Sequence, residues 1–325
     1  MNWKDSVVLV TGGTGFFGRE FVEVALRELK PKKLIVFSRD EHKQHEMRMA
    51  YPRRRELRYF IGDIRDRTRL HRALHGVDTV IHAAALKHVP ACEYNPGEAV
   101  KTNVDGAANI INAAIDCGVK RVLALSTDKA VNPLNLYGAT KLCAEKLFVQ
   151  GNAYSGGEGT QFSCTRYGNV AGSRGSVVGV FRRQRESGKI TVTDERMTRF
   201  WMTPRQAVRF VIDSVEKMQG GEVFVPKCPS MRITDLAKAL APECELDLIG
   251  IRPGEKLHEL LISADESRCA VEQKNGFLIE PLRPWWSPRI PADAERLSDG
   301  TIYASDTNDH WLSVEDLRRE LGEDA

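Results

Sequence analysis

The run Val7-Val8-Leu9-Val10-Thr11-Gly12-Gly13-Thr14-Gly15-Phe16-Phe17-Gly18 constrains the fold of this chain more than any other stretch. A short β-branched strand runs straight into a glycine turn. A helical pattern comes next, with apolar residues at Phe17, Phe21, Val24 and Ala25 and a stop at Pro31. Glycines at 12, 15 and 18 permit a tight turn, close approach of a pyrophosphate to the backbone, and close packing of helix on sheet. The first turn of that helix leaves N–H groups free for an anion. A dinucleotide is therefore expected in a cradle made by Gly12, Thr14, Gly15, Phe16, Phe17 and Gly18.

The chain keeps this rhythm through its first half. Residues 34–37, 57–61, 79–83, 121–126 and 162–167 read as further strands, and 69–74, 96–117 and 136–150 as helices; 47–55 is charged and has no clear period. Alternation of this kind predicts an α/β fold, a Rossmann-type doubly wound parallel sheet with helices on both faces. Residues 151–159, with four glycines, read as an exposed loop. After about residue 174 the rhythm loosens. Residues 177–186 and 204–218 look helical, 222–225 looks like a strand, and 234–240 reads as a helix capped by Thr234. Residues 281–291 hold four prolines and two tryptophans, which predicts an extended, packed segment. The expected organisation is a nucleotide-binding domain over 1–173, its sheet completed by parts of 204–225. Residues 174–325 would form a smaller, interleaved α/β domain for the substrate.

The net charge of +3 gives no argument for nucleic acid. The clusters Pro52-Arg53-Arg54-Arg55 and Arg182-Arg183-Gln184-Arg185 read as solvated faces. There is no apolar run of 18 residues, so no membrane span is expected, and the N-terminus does not read as a signal peptide. Seven cysteines, odd in number and without a CxxC, suggest reduced thiols and a cytoplasmic protein. Glu41, His42, His45 and Glu46 are spaced for a metal on a helix, but read better as a polar face; no metal is expected.

The second strand ends in Ser38-Arg39-Asp40. Ser38 and Arg39, with Lys43 nearby, suit a ribose 2′-phosphate and favour NADP, while Asp40 leaves NAD open. Asp63 and Ile64 fit adenine recognition, and Ala83, Ala84 and Ala85 leave room beside the adenosine half. Tyr137 and Lys141 share one helix face. An ammonium and a positive nicotinamide beside the phenol would lower its pKa, making Tyr137 a general base on a substrate hydroxyl. Lys141 would also hold the nicotinamide ribose, and Ser126 or Thr127 can bond the same hydroxyl. Asp128 and Lys129 add an acid and an amine just upstream, which suits proton removal and loss of a leaving group.

These residues carry a resemblance. The chain resembles the extended short-chain dehydrogenases/reductases that act on nucleotide sugars. Within them it is most similar to the inverting UDP-N-acetylglucosamine 4,6-dehydratases of the pseudaminic acid (flagellin sugar) pathway. The shared blocks include TGGTGFFG at 11–18, HAAALKHVPACEYNP at 82–96, STDKAVNPLNLYGATKLCAEKLF at 126–148, RYGNVAGSRGSVV at 166–178, MTRFWMT at 197–203 and RPGEKLHE at 252–259. The resemblance implies oxidation at sugar C4, elimination of water across C5 and C6, hydride return to C6 and reprotonation of C5. Asp128 would be the acid for the C6 hydroxyl, and Lys129 the C5 base or proton donor. A lysine there, where retaining dTDP-glucose dehydratases carry a glutamate, implies inversion at C5; simple 4-epimerases lack both groups. A nucleotide-sugar 4-epimerase and a retaining 4,6-dehydratase are the alternatives. The resemblance further implies Asn103, Tyr167 and Val170 on the cofactor side, and Lys87 toward sugar, phosphate or cofactor. It places Asn169, Val177, Val178 and Thr191 on the substrate side, Thr198 and Arg199 at the pyrophosphate, and Arg252 with Glu255 as a nucleotide clamp. A homo-oligomer, dimer to hexamer, is expected.

Overall fold

The structure is a computed structural model that describes residues 1–156, 159–173, 175–281 and 294–322. Its centre is a sheet whose first six strands are β1 (Val7–Thr11), β2 (Lys33–Ser38), β3 (Leu57–Ile61), β4 (Thr79–His82), β5 (Arg121–Leu125) and β6 (Gln161–Thr165). They pair in parallel in the order β3-β2-β1-β4-β5-β6. The order reverses between β1 and β4, and a doubly wound sheet opens its ligand crevice at such a point. Val8, Leu9, Val10, Val80, Val122 and Leu123 are at most 1% exposed, as strands covered on both faces must be.

The sheet takes in more of the C-terminal part than the expected 204–225. Val223–Pro226 adds in parallel beside β6, and three antiparallel strands, Gly276–Ile279, Ala270–Gln273 and Glu295–Arg296, continue it. A second, smaller core gathers Val178, Phe181, Ile190, Trp201, Leu236, Leu240 and Leu317. Within the larger core a buried Arg166 ties the first half of the chain to residues 261–266. It donates to Glu145 at 2.7 and 3.1 Å, to Glu266 at 2.9 and 3.0 Å, and to the Leu261 carbonyl at 3.0 Å. Among the described residues no helix is long and apolar enough to cross a membrane.

Several helices depart from the sequence expectation for identifiable reasons. After a first helix, α1 (Phe16–Val24), the charged stretch near 47–55 belongs partly to a second, α2 (Glu41–Ala50). Its buried face is Gln44 and Met47: the Gln44 amide donates to the Ser38 carbonyl and hydroxyl and to the Phe60 carbonyl, and one buried methionine makes no apolar stripe to read. The long helix expected over 96–117 is present and continuous from Pro96 to Asp116, widened by one π-helical turn at Lys101–Asp105. The helix expected to end near 150 runs from Leu136 to Ser155, which removes most of the expected 151–159 loop. The Ile233–Leu240 helix starts from Arg232, with Thr234 already inside its first turn and no side-chain cap. Of the segment expected over 281–291, all but Pro281 lies outside the described residues.

Candidate active site

A cavity of about 860 Å³ runs from the glycine turn, past the carboxyl ends of β1, β4 and β5, to the segments around residues 191–199 and 252–259. The cradle at its cofactor end is shaped by absent side chains. Gly12 has φ +64°, and a Cβ there would come within 3.0 Å of the Ala84 backbone. A Cβ on Gly18 would strike Gly13, so the helix Phe16–Val24 packs onto the turn only with glycine there. That helix starts from Gly15 without a side-chain cap, leaving its first N–H groups for an anion. The buried Thr11 hydroxyl accepts from the N–H groups of Ala83 and Ala84 and contacts His82 Nδ1 at 2.9 Å, which fixes the β4 exit against the turn. These features fit a dinucleotide.

Gly12, Thr14, Gly15, Phe16, Phe17, Gly18, Ser38, Arg39, Asp40, Lys43, Asp63, Ile64, Ala83, Ala84 and Ala85 all line the cavity. Their partners refine the ribose reading. Asp40 caps α2, accepting from the Lys43 N–H at 3.0 Å, and its carboxylate also meets Lys43 Nζ. Arg39 keeps a half-exposed guanidinium, held 3.4 Å from Asp63. The first cation of this corner is thus more accessible than its first carboxylate.

The helix Leu136–Ser155 carries Tyr137 and Lys141. Asn135 caps it, accepting from Gly138 N at 2.8 Å, while its amide donates to the Gly254 carbonyl at 2.9 Å. Tyr137 and Lys141 are both buried and both line the cavity. The protein's own groups do not lower the phenol. Burial pushes Tyr137 up to about 12, opposed by a hydrogen bond with Thr127 and the charge of Lys129. Lys141 instead donates to the Leu125 carbonyl at 2.6 Å, and burial pushes its ammonium down.

Asp128 and Lys129 sit on a single 3-10 turn after β5. Asp128 is 1% exposed; its Oδ1 takes hydrogen bonds from the Thr127 hydroxyl at 2.8 Å and Lys129 Nζ at 3.1 Å. Its Oδ2 is buried and unpartnered. Lys129 Nζ also lies 3.0 Å from Glu259 Oε1. Burial alone would push the lysine down, but Asp128 and Glu259 outweigh it and hold the ammonium above the usual lysine range. Ser126, Thr127, Lys87, Tyr167, Asn169 and Val170 complete this end of the cavity. Burial, then the charge of Lys129, pushes Lys87 down.

Three expected contacts do not face the cavity. Asn103 is 2% exposed and spends its amide on the Leu86 backbone and Thr140, so it supports the loop after β4. Val178 belongs to the smaller core. The Thr198 hydroxyl bonds Ser305 at 2.7 Å and His258 at 2.8 Å. Arg199 does line the cavity, but its guanidinium donates to the carbonyls of Thr198, Leu257 and Lys256, which makes it a strut for that loop. Val177, Thr191, Arg252 and Glu255 line the substrate end, with Arg252 the more exposed of its two charges. The sequence reading missed Glu259 and Lys256. Both lie in the quoted block RPGEKLHE, but carboxylates and lysines in a charged stretch read as solvated.

The profile of polysaccharide biosynthesis proteins matches residues 8–281. A UDP-N-acetylglucosamine 4,6-dehydratase (inverting) from Campylobacter jejuni is 50% identical over 319 residues, 95% of each chain. A UDP-glucose 4-epimerase from Rickettsia conorii is 43% identical over 306 residues, 90% of this chain and 85% of that one. Among solved structures, Pen from Bacillus thuringiensis superposes with a TM-score of 0.91 at 41% identity, covering 99% of both chains. The dTDP-glucose 4,6-dehydratase DesIV from Streptomyces venezuelae, solved with NAD bound, shares the fold with a TM-score of 0.69 at 24% identity, over 77% of this chain and 86% of that one.

Proposed function

Because this chain belongs to the polysaccharide biosynthesis protein family, the nucleotide-sugar dehydratases and epimerases of the short-chain dehydrogenase/reductase class, we propose that it is an NADP-dependent UDP-N-acetylglucosamine 4,6-dehydratase, a lyase that inverts C5. Its product would be UDP-2-acetamido-2,6-dideoxy-β-L-arabino-hex-4-ulose, a precursor for surface glycans. The observation that carries this reading is the placement of Asp128 and Lys129 beside Tyr137 at one end of the cavity.

Bound in the glycine cradle, the nicotinamide would supply a reversible hydride acceptor for C4 and a hydride donor for C6. Arg39, Ser38 and Lys43 would hold the ribose 2′-phosphate. Tyr137 takes the proton of the C4 hydroxyl, with Thr127 on the same phenol. The C4 ketone acidifies the C5 proton. Asp128 gives a proton to the C6 hydroxyl through its free Oδ2, so that the C6–O bond breaks and water leaves. Lys129 and Tyr137 carry the C5 proton transfers between them. Delivery of a solvent-derived proton to C5 from the opposite face inverts the centre. The carbon skeleton has then lost one water and the redox state of the enzyme is restored. Burial supports each step, since charges act more strongly out of bulk water.

The Rickettsia relative named as a UDP-glucose 4-epimerase supports a second reading, in which the C4 ketone is reduced from the other face without elimination. Identity alone does not decide between 50% and 43%. Incubation of the enzyme with UDP-N-acetylglucosamine separates the two: a 4-keto-6-deoxy product supports the lyase, and a 4-epimer overturns it.

A further inference from the structure

We propose that Glu259 is a positioning residue for the dehydration: it holds Lys129 beside Asp128 as an ammonium, the form that gives the C5 proton, which leaves Tyr137 to take it. The proposal rests on the dehydratase reading. Glu259 is 2% exposed and lines the cavity. Its Oε1 lies 3.0 Å from Lys129 Nζ and 3.8 Å from Arg199 Nε. Its Oε2 is buried and has no partner.

The backbone that carries this carboxylate is held firmly. The Glu259 N–H donates to the Ser305 hydroxyl at 2.9 Å, and the Ser305 N–H donates back to the Glu259 carbonyl at 2.9 Å. Thr198 contacts that same Ser305 hydroxyl, and the strand Leu260–Ile262, directly after Glu259, pairs with Tyr303–Ala304. A pair that served stability alone would be expected to satisfy both carboxylate oxygens, because an unpartnered buried oxygen is costly. Here one oxygen is buried without a partner, on a residue that lines the cavity.

Asp128 cannot do both jobs. Its Oδ1 is shared between Thr127 and Lys129, and its Oδ2 is the atom left for the substrate. A second carboxylate keeps the lysine charged whichever protonation state Asp128 is in. The groups acting on Lys129 are Asp128, Glu259 and Arg199, together with Lys87, Lys256 and Tyr137. Of these, Glu259 is the negative group that the proposed chemistry leaves unconsumed.

The test uses Glu259→Gln and Glu259→Asp in the full-length enzyme. UDP affinity, bound nicotinamide, reduced-nicotinamide absorbance in a single turnover, the pH profile of kcat and nitrogen NMR of labelled lysine side chains are compared with wild type. The expected result for Glu259→Gln is an elimination rate lower by about tenfold or more, with reduced nicotinamide building up and UDP affinity kept within about twofold. The basic limb of kcat and the Lys129 resonance should titrate lower by about one pH unit, and Glu259→Asp should recover part of both. Unchanged elimination and an unchanged Lys129 titration would overturn the proposal. So would a parallel fall in UDP affinity, bound nicotinamide and turnover, which marks a merely structural role. If wild type converts no nucleotide sugar, the dehydratase reading fails; the lysine titration still decides whether Glu259 holds Lys129.

Discussion

Gly138 lies so close to Lys129 that a methyl group on its Cα would overlap the Lys129 carbonyl oxygen. This glycine comes directly after Tyr137, so the helix bearing the phenol is pressed against the turn bearing the lysine. The catalytic arrangement depends on this contact as much as on the polar groups.

Gly138→Ala is therefore expected to push the helix and the turn apart. Overpacking against backbone costs about 1–3 kcal/mol, and a displacement of Tyr137 should lower turnover by about a hundredfold. Thermal unfolding and steady-state kinetics measure the two effects. A fully active, equally stable variant would show that the contact relaxes without consequence.

Cofactor preference tests Arg39. Its half-exposed guanidinium and the engagement of Asp40 with Lys43 and the α2 cap favour a 2′-phosphate. Arg39→Ala should weaken NADPH binding by about tenfold or more and leave NADH within about twofold. Fluorescence titration with both nucleotides gives the ratio; equal losses for both would speak for NAD.

His82 predicts an acid limb of stability. Burial, then the charge of Lys141, pushes its pKa down to about 3, from an ordinary 6.5. The folded state therefore keeps the ring neutral while the unfolded chain protonates near 6.5. Its contribution is present above 6.5 and is lost as pH falls from there toward 3. Between about pH 6.5 and 5 the loss is about 2 kcal/mol, largely before carboxylates titrate. Urea melts of wild type and His82→Gln at these two pH values should show a flatter dependence in the variant; parallel curves would exclude the ring as the source.

Much of this molecule was legible because its signals are local. β3 occupies residues 57–61 as read, and the glycine turn lies between β1 and the first helix as expected. What was not legible depended on contacts made across the chain. α2 hides behind Gln44, whose anchoring partners, Ser38 and Phe60, lie on other strands. Asn103 and Thr198 carry the right chemistry for ligand contacts, yet folding commits them to Leu86, Thr140, Ser305 and His258. The phenol of Tyr137 was expected low beside an ammonium and a positive nicotinamide; the protein's own groups alone leave it high, because burial dominates and Lys141 donates to Leu125. Glu259 gains its meaning only when the last third of the chain returns it to Lys129.

The central claim is elimination governed by Asp128 and Lys129, and its most direct measurement is NMR of the product formed from UDP-N-acetylglucosamine in D2O, with wild type and Lys129→Ala side by side. The account predicts that wild type yields the 4-keto-6-deoxy sugar of L-arabino configuration, with deuterium at C5. It predicts that Lys129→Ala still exchanges hydride at C4 but forms that product about a hundredfold more slowly or not at all. A 4-epimer from wild type, or undiminished product from Lys129→Ala, would contradict it.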